Sequence, residues 1–341
     1  MTEGVPDNYR ALRVHVTGEA VDRAVEQVPW STLTAPEHAG ARVSVRVEYS
    51  SLNYKDALSA SGNRGVTRDY PHTPGIDAAG RVVASADPRF EPGAQVLVTG
   101  FDLGMNTPGG FGQYVNVPGE WLVPLPGGLS TRSAMALGTA GLTAAIALER
   151  LAFAGATSDL GPLVVTGASG GVGSLAVALA AAAGYEVIAS TGKPQAAPLL
   201  ERLGAARTVG RSPLNEPSER PLLRGQYAGA IDTVGGDTLV NLVKSTVVGG
   251  AVAACGLVGG ADLSLTVHPF ILRGVALLGV DSQHLPMETR VELWRSLAQS
   301  DTVKRALEVP GLVTETTLDG LEEHVGRILA GEVMGRVIVS L

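Results

Sequence analysis

One stretch constrains the fold of this chain most: a short apolar run, three evenly spaced glycines and an Ala/Leu/Val-rich run. Leu163–Val165 predicts a buried parallel strand, and Leu175–Ala183 has strong helix propensity. Gly167, Gly170 and Gly173 lie between them. Such glycines permit a tight turn, a close approach of the backbone to a pyrophosphate, and close packing of helix on strand. We therefore expect a dinucleotide to bind at the start of this helix, whose N-terminus attracts anions. The alternative is a plain tight turn, since glycine fills 44 of 341 positions.

The residues after the next predicted strand indicate which nicotinamide dinucleotide binds. That strand is Glu186–Ser190, and an NAD site would carry an acidic residue near its end, about 20 residues after the glycines. The chain instead has Thr191, Gly192 and Lys193 there. Hydroxyls and a cation suit a 2′-phosphate, which a carboxylate would repel. NADPH is the predicted cofactor.

Two arginines on the following predicted strand, Arg207 and Arg211, are candidates to close over the same phosphate. The alternative for both, and for Lys193, is that they are solvated surface charges.

Composition narrows the class of protein. A hydrophobic fraction of 45% with 17% charged residues is typical of a globular protein, and 341 residues predict two domains. The net charge of −7 argues against nucleic acid and anionic membranes as partners. The single cysteine, Cys255, fits a reducing compartment, and the first ten residues do not resemble a signal peptide. The longest apolar run, near Leu175–Ala183, is too short to span a bilayer. We expect a cytoplasmic protein.

Two kinds of pattern alternate along the chain. Residues 41–50 alternate apolar and polar side chains, as in a half-buried antiparallel strand. The middle of the chain instead alternates strands and helices, which predicts a doubly wound parallel sheet. We expect an α/β protein in which residues 130–283 form the nucleotide-binding domain. Residues 1–129 and 284–341 would form a β-rich catalytic domain around this insert.

Several segments, taken in order, resemble the medium-chain dehydrogenase/reductase superfamily over essentially the whole chain. They are Ser50–Ala57, Pro74–Gly80, Gly138–Ala144, Val165–Ser174, Ala230–Gly236, Ala253–Leu257, Pro269–Gly274 and Gly279–Ser282. Within this superfamily the chain most resembles the zinc-independent quinone oxidoreductases, and among these the acryloyl-CoA reductase group.

The resemblance implies a Rossmann domain inserted in a GroES-like domain, and NADPH-dependent reduction of a C=C bond conjugated to a thioester or carbonyl. It also implies a homodimer joined through the sheet edge near residues 275–281. Tyr54 takes the place of a tyrosine that faces the nicotinamide. The implied cofactor contacts are Ser169, Gly170, Gly171 and Val172 on the pyrophosphate; Thr191, Gly192, Lys193 and Arg207 on the 2′-phosphate; and Leu257, Ile271 and Ser282 around the nicotinamide.

Zinc is not expected. Zinc enzymes of this superfamily use Cys and His ligands, whereas this chain has one Cys and no ligand-like pairing among histidines 15, 38, 72, 268, 284 and 324. It also has Gly75-Ile76-Asp77 where those enzymes carry Gly-His-Glu. Cys255 is predicted to be a small packing residue. His72 and His268 are predicted to cap or pack.

Without a metal, hydrogen bonds must stabilise the enolate oxygen that forms when hydride reaches an enoyl thioester. Asn53, Tyr54 and Asp56 form a polar cluster after a predicted strand, and Tyr54 is the favoured catalytic residue, with Asn53 second. The phenol could orient the ribose, donate to the enolate or supply the proton. Alternatively, Asn53 and Asp56 cap the next helix and Tyr54 only packs. Thr143 is a weaker candidate near the cofactor.

Three functions remain open. The first is an enoyl-thioester reductase acting on acryloyl-CoA, and the second is a quinone or enone reductase. The third is a non-catalytic NADPH-binding protein. A CoA ester would favour basic side chains near the site, for which Arg64, Arg68 and Arg273 are candidates.

Overall fold

The computed structural model describes residues 6–33 and 40–341. Its strands are β1 (Asn8–Thr17), β2 (Ala20–Pro29), β3 (Arg42–Leu52), β4 (Asp77–Ser85), β5 (Gln95–Thr99), β6 (Tyr114–Pro118), β7 (Val123–Pro124), β8 (Leu163–Val165), β9 (Val187–Ser190), β10 (Ala205–Val209), β11 (Tyr227–Asp232), β12 (Thr246–Ala254), β13 (Ala276–Gly279), β14 (Val313–Thr317) and β15 (Arg336–Ser340). Its helices are α1 (Tyr54–Ala60), α2 (Thr131–Phe153), α3 (Gly171–Ala182), α4 (Ala197–Arg202), α5 (Ser212–Asn215), α6 (Gly236–Ser245), α7 (His268–Arg273), α8 (Met287–Gln299), α9 (Asp301–Leu307) and α10 (Leu321–Leu329).

The chain divides into two compact units. The first, here the antiparallel unit, comprises the chain up to Thr139, Gln283–Gln299 and Val313–Leu341. The second, the parallel unit, comprises Ala140–Ser282 and Ser300–Leu312.

The antiparallel unit is built on a seven-stranded sheet. Its order is β14-β15-β3-β4-β5-β7, with β6 also paired to β3, and only β14 and β15 pair in parallel. Val43, Val45 and Val47 of β3 are buried while Arg46 is exposed, so the alternation seen in the sequence marks the core face. Strands β1 and β2 form a separate hairpin that the sequence pattern did not predict.

The parallel unit contains a six-stranded sheet in the order β10-β9-β8-β11-β12-β13, with every neighbouring pair parallel. This is the strand order of a doubly wound dinucleotide-binding fold, and it reverses between β8 and β11. Ligands of such sheets bind beyond the carboxyl ends of the strands at that reversal. The predicted α/β fold class is confirmed.

The unit boundaries differ from those expected from the sequence. The first nine residues of α2 group with the antiparallel unit, and Ser300–Leu312 groups with the parallel unit because α9 packs against α3. The segment after Arg211 begins with α5. Asn241 and Lys244 donate hydrogen bonds to backbone carbonyls of this segment. His38 and the first five residues lie outside the described residues.

The apolar run near Leu175–Ala183 is too short to span a bilayer, but helix α2 is longer, with 23 residues. Within the described ranges it is the one helix long and apolar enough to cross a bilayer. Yet 61% of its apolar window is buried inside the protein, and Gly138 interrupts it with non-helical angles (φ 52°, ψ −156°). These are the features of a core helix.

Candidate dinucleotide site and buried polar cluster

The turn between β8 and α3 has the geometry that its three glycines predict. Gly167 has φ +56°, and a Cβ there would collide with the Thr233 hydroxyl. A Cβ on Gly173 would lie 2.7 Å from the Cα of Ala168, so glycine lets α3 pack onto the turn. A Cβ on Gly170 would meet only the Gly167 carbonyl oxygen, at 3.3 Å. Gly170 is therefore the open position, at the N-terminus of α3, where a pyrophosphate fits.

The residues around that helix start are tied to the end of β9. The Ser169 hydroxyl is buried and lies 2.7 Å from Thr191 Oγ1, which also accepts a hydrogen bond from Lys193 N at 3.1 Å. Gly171 and Val172 are half-buried in the first turn of α3, where backbone N–H groups lack helical partners. The structure thus brings the predicted pyrophosphate and 2′-phosphate residues to one edge of the sheet.

A second cation accompanies Lys193 at this edge. The Arg211 guanidinium packs on the backbone of Gly192, where a Cβ would come within 2.6 Å of Arg211 Cζ. Burial, and next the charge of Arg211, lower the pKa of Lys193. Two cations this close repel each other, so a phosphate dianion between them would relieve the repulsion. Arg207 is exposed within β10 opposite Ile188, two residues before the strand end.

Buried hydrogen bonds fix the ends of β8 and β11 where the strand order reverses. Asp232 Oδ1 accepts from Thr166 Oγ1 at 2.6 Å, and Oδ2 accepts from Gly235 N at 2.7 Å. Burial raises the pKa of Asp232. Burial, followed by the charge of Asp232, also raises the pKa of Cys255 to about 12. The Cys255 thiol therefore keeps its proton at neutral pH and is not an activated nucleophile.

The predicted nicotinamide residues are only partly brought together. Thr143 Oγ1 donates to Ser282 Oγ at 3.0 Å. Leu257 is 67% exposed and lines a cavity of about 500 Å³ beyond the carboxyl ends of β12 and β13. Ile271 lies on α7, is 70% exposed, and does not line this cavity. The other side chains lining the cavity include Arg150, Cys255, Val280 and Asp281.

Tyr54 and Asn53 lie in the antiparallel unit, and their side chains differ in hydrogen bonding to the rest of the protein. Tyr54 begins α1, is 41% exposed, and its hydroxyl forms no hydrogen bond to another described residue. Asn53 Oδ1 accepts from Arg336 Nη1 at 3.1 Å, and Nδ2 donates to Asp77 Oδ2 at 2.8 Å. Asn53 N donates to Asp56 Oδ2 at 2.8 Å, as in a capping box. A phenol is thus free to meet a substrate, whereas Asn53 is held by the protein.

The charged groups behind Asn53 are buried together. Burial, and next the charge of Asp77, raise the pKa of Asp56 to about 7. Hydrogen bonds from Asn53 and from the backbone N–H of Ile76 lower the pKa of Asp56, but by less. Burial lowers the pKa of the fully buried Arg336, against the attraction of the two carboxylates.

The same positions do not fit a catalytic zinc ion. Ile76 has no ligand atom on its side chain. The carboxylate of Asp77 accepts hydrogen bonds from Ser51 Oγ, Asn53 and Thr139. Within residues 6–33 and 40–341, no group of three or more His, Cys, Asp or Glu side chains has an arrangement suited to a metal ion.

The remaining candidates have other surroundings. Arg273 donates to three backbone carbonyls at 2.6–3.0 Å, so its guanidinium is structural. Arg64 and Arg68 are exposed in the loop after α1. His72 is buried, and burial lowers its pKa to about 4, while His268 is half-buried and its Nδ1 lies 2.9 Å from Thr266 Oγ1. With this lowered pKa, His72 does not have the setting of a general acid at neutral pH.

Asn53 belongs to a cluster of hydrogen-bonded polar side chains, of which four members were not predicted as site residues: Ser51, Asp77, Thr139 and Arg336. The one indication in the sequence is Gly138, a glycine inside an otherwise helical run, which often has a packing reason. Arg211, one of the two candidate arginines, lies beside Lys193.

Comparison with known proteins assigns the family. Residues 39–127 match the alcohol dehydrogenase GroES-like domain, and residues 171–299 match the zinc-binding dehydrogenase model. An acrylyl-CoA reductase, AcuI of Ruegeria pomeroyi, is 46% identical over 93% of this chain and 94% of its own length. The chain belongs to the medium-chain dehydrogenase/reductase superfamily. Within that superfamily it falls in the acryloyl-CoA reductase group, so the predicted family and oxidoreductase class are confirmed.

Two solved structures show the same medium-chain dehydrogenase/reductase fold with different dinucleotides. The yhdH oxidoreductase of Salmonella enterica in complex with NADP has a TM-score of 0.90 and 43% identity, covering 97% of this chain and 99% of its own. Protein yhfP of Bacillus subtilis, solved with NAD bound, also has a TM-score of 0.90, with 40% identity and coverage of 98% and 100%.

Proposed function

We propose that this reductase uses NADPH to reduce the C=C bond of a short enoyl thioester, acryloyl-CoA to propionyl-CoA, without a catalytic metal. One observation carries the cofactor assignment. The glycine turn at α3 is followed, at the end of β9, by Lys193 and Arg211 around Gly192, with no carboxylate in the position that would bind a ribose hydroxyl.

The chain's own residues fit the phosphorylated dinucleotide. NADPH, when bound, supplies the hydride. Ser169, Gly170, Gly171 and Val172 would hold the pyrophosphate. Thr191, Gly192, Lys193 and Arg211 would hold the 2′-phosphate, with Arg207 a predicted further contact. The NADP in Salmonella enterica yhdH supports this assignment. Bacillus subtilis yhfP was solved with NAD bound, so this fold accepts either dinucleotide. We therefore assign the preference for NADPH over NADH to the residues after β9.

Tyr54 is the proposed catalytic residue. Reduction at the β-carbon places negative charge on the thioester carbonyl oxygen, and a donor aimed at that oxygen lowers the barrier. Tyr54 has an exposed hydroxyl without a partner among the described residues, so it can donate to the substrate without breaking a bond in the protein. Asn53 holds the start of α1 and remains a predicted contributor.

The names of two relatives support the proposed acyl acceptor and a second candidate. AcuI of Ruegeria pomeroyi is named an acrylyl-CoA reductase, which favours a short enoyl-CoA here. YhfP of Bacillus subtilis carries the provisional name of a quinone oxidoreductase, which favours a quinone as the second candidate acceptor.

Purified protein with NADPH should be assayed on acryloyl-CoA and on a soluble quinone, followed by the loss of NADPH absorbance. A higher kcat/KM for acryloyl-CoA, unchanged when a chelator is present, supports the proposal. Useful turnover of the quinone alone contradicts the substrate. NADPH binding without turnover of either would indicate a non-catalytic protein.

We further propose that the parallel unit is the NADPH-binding domain and that the protein is a homodimer joined along β13. This strand ends the sheet, and before it Val267, the N-cap of α7, and Ile271 and Leu272 on α7 are exposed. An unpaired strand edge beside apolar surface favours association. Sedimentation should give a dimer, and Leu272→Asp should weaken it. A monomeric wild-type protein contradicts the proposal. The cytoplasmic location, and the absence of nucleic-acid and membrane partners, stay predictions.

A further inference from the structure

A charged cluster lies entirely inside the antiparallel unit. Asp56 and Asp77 are each 0% exposed and Arg336 is 2% exposed. Burying charges is costly unless each is paired and hydrogen-bonded, and such groups are often replaceable by apolar residues without loss of stability. Stability alone therefore does not explain why these charges are buried together.

The hydrogen bonds of the cluster converge on Asp77. Its Oδ2 accepts from Ser51 Oγ at 2.6 Å, from Asn53 Nδ2 at 2.8 Å and from Thr139 N at 3.0 Å. Its Oδ1 accepts from Thr139 Oγ1 at 2.6 Å. Arg336 completes the ring by donating to Asn53 Oδ1 at 3.1 Å and to Ser51 Oγ at 2.8 Å.

Helix α2 is interrupted to admit this carboxylate. At Gly138 the backbone leaves the helical region, and a Cβ there would lie 2.5 Å from Asp77 Oδ2 and 2.7 Å from Ser51 Oγ. Past the break, Asp77 accepts both the N–H and the hydroxyl of Thr139, as an N-cap residue would. Its negative charge also faces the positive end of the renewed helix.

Asn53 links the cluster to the proposed catalytic tyrosine. Asp77 holds its amide nitrogen and Arg336 holds its amide oxygen, so the Asn53 side chain cannot rotate without breaking both hydrogen bonds. Asn53 is the N-cap of α1, and Tyr54 is the first residue of that helix. The Tyr54 phenol makes no hydrogen bond to a described residue, so the backbone at the start of α1 is what aims it.

We infer that Asp77 and Arg336 are positioning residues for the reduction: through Asn53 they hold the start of α1, and so keep the Tyr54 phenol where the substrate carbonyl needs it. This inference rests on the proposed function. It accounts for a buried charged cluster and a broken helix in the same unit as a phenol that makes no hydrogen bond to a described residue.

The test compares two threonines of α2 that make the same kind of bond. Thr139 Oγ1 donates to Asp77 at 2.6 Å, and Thr131 Oγ1 donates to Glu48 at 2.7 Å. Both are buried or half-buried in the antiparallel unit, and only Thr139 reaches the cluster. Thr139→Val and Thr131→Val therefore remove matched hydroxyl–carboxylate bonds, and Thr139→Ser restores the first.

Thr139→Val should lower kcat for acryloyl-CoA by about tenfold with KM little changed, since small misplacements of a catalytic group are costly. Thr139→Ser should recover most of the rate, and Thr131→Val should keep it. In a Tyr54→Phe background, Thr139→Val should have little further effect, because its effect passes through the phenol. Hydrogen exchange at residues 54–60 should rise in Thr139→Val and not in Thr131→Val.

Three results would overturn the inference while leaving the proposed function intact. They are a wild-type kcat in Thr139→Val, an equal loss in both threonine variants, and additive effects of Thr139→Val and Tyr54→Phe. If the wild-type protein reduces only quinone, the proposed substrate is wrong. The same comparison of Thr139→Val, Thr131→Val and Tyr54→Phe then measures the inference with quinone as the substrate. A wild-type protein with no reductase activity overturns both.

Discussion

The Arg211 guanidinium rests on the backbone of Gly192, next to Lys193. A Cβ on Gly192 would come within 2.6 Å of Arg211 Cζ, so any larger residue there would push the guanidinium away. The charge of Arg211 also contributes to the lowered pKa of Lys193. The pair forms a compact cationic site at the end of β9.

Lys193→Glu should weaken NADPH binding by about 100-fold and NADH binding far less, because it replaces a charge-assisted bond to phosphate with repulsion. Arg211→Ala should act in the same direction, and more strongly than Arg207→Ala. Dissociation constants from the fluorescence of the bound reduced nicotinamide measure this, with exposed Arg202→Ala as the control. Equal losses for both dinucleotides would place Lys193 away from the 2′-phosphate.

Two glycines of the same turn should respond differently to alanine. Gly173→Ala meets backbone at 2.7 Å and should reduce the free energy of unfolding by about 1–3 kcal/mol. Gly170→Ala meets only one oxygen at 3.3 Å, so stability should fall by no more than about 1 kcal/mol, as at other N-caps. The Gly170 variant should nonetheless lose most of the rise in Tm that NADPH gives the wild type. An unchanged rise would mean that the pyrophosphate does not approach Gly170.

Tyr54→Phe should lower kcat for acryloyl-CoA by about 100-fold, the usual effect of removing one donor to a developing oxyanion. The dissociation constant of NADPH should change little, and because the phenol is exposed, Tm should too. Steady-state kinetics and a binding titration separate these effects. A variant with wild-type kcat would reduce Tyr54 to a packing residue.

Asp56 should make stability depend on pH. Its pKa is about 7 in the folded chain, through burial and Asp77, against an ordinary value of 3.8. Between these values the folded chain holds a proton that the unfolded chain releases, so the free energy of unfolding falls as pH rises and levels off above about 7. The other charged groups facing Asp56 are Asp77 on β4 and Arg336 on β15.

Urea unfolding at several pH values, compared with Asp56→Asn, measures this contribution. The wild type should lose on the order of a few kcal/mol more than the variant between about pH 4 and 7. Parallel curves for the two proteins would show that Asp56 does not titrate in this range.

Short-range patterns predicted much of the fold. The apolar alternation of β3, the strand–glycine–helix order at β8 and α3, and the strand–helix alternation after them are local properties, because backbone geometry imposes periods of about two and 3.6 residues. The choice of NADPH also rested on neighbouring residues, since Thr191, Gly192 and Lys193 follow β9 directly.

Other features depend on residues far apart in the chain. Arg336 meets Asn53 across 283 positions, and Thr139 meets Asp77 across 62, so no spacing rule could join them. The same is true of the grouping of α9 with α3. A long-range contact exists only once strands have paired and helices have packed.

The sequence by itself determined a doubly wound dinucleotide fold and the phosphorylated cofactor, because both follow from local patterns of residue types along the chain. Tyr54 as the catalytic residue stays a prediction. Only the tertiary structure decided that Arg211 rather than Arg207 lies beside Lys193, and that Asn53 is held by a buried Asp77–Arg336 cluster. Side chains at the end of a strand, or across a sheet, meet through register and packing, which are set by the folded chain as a whole.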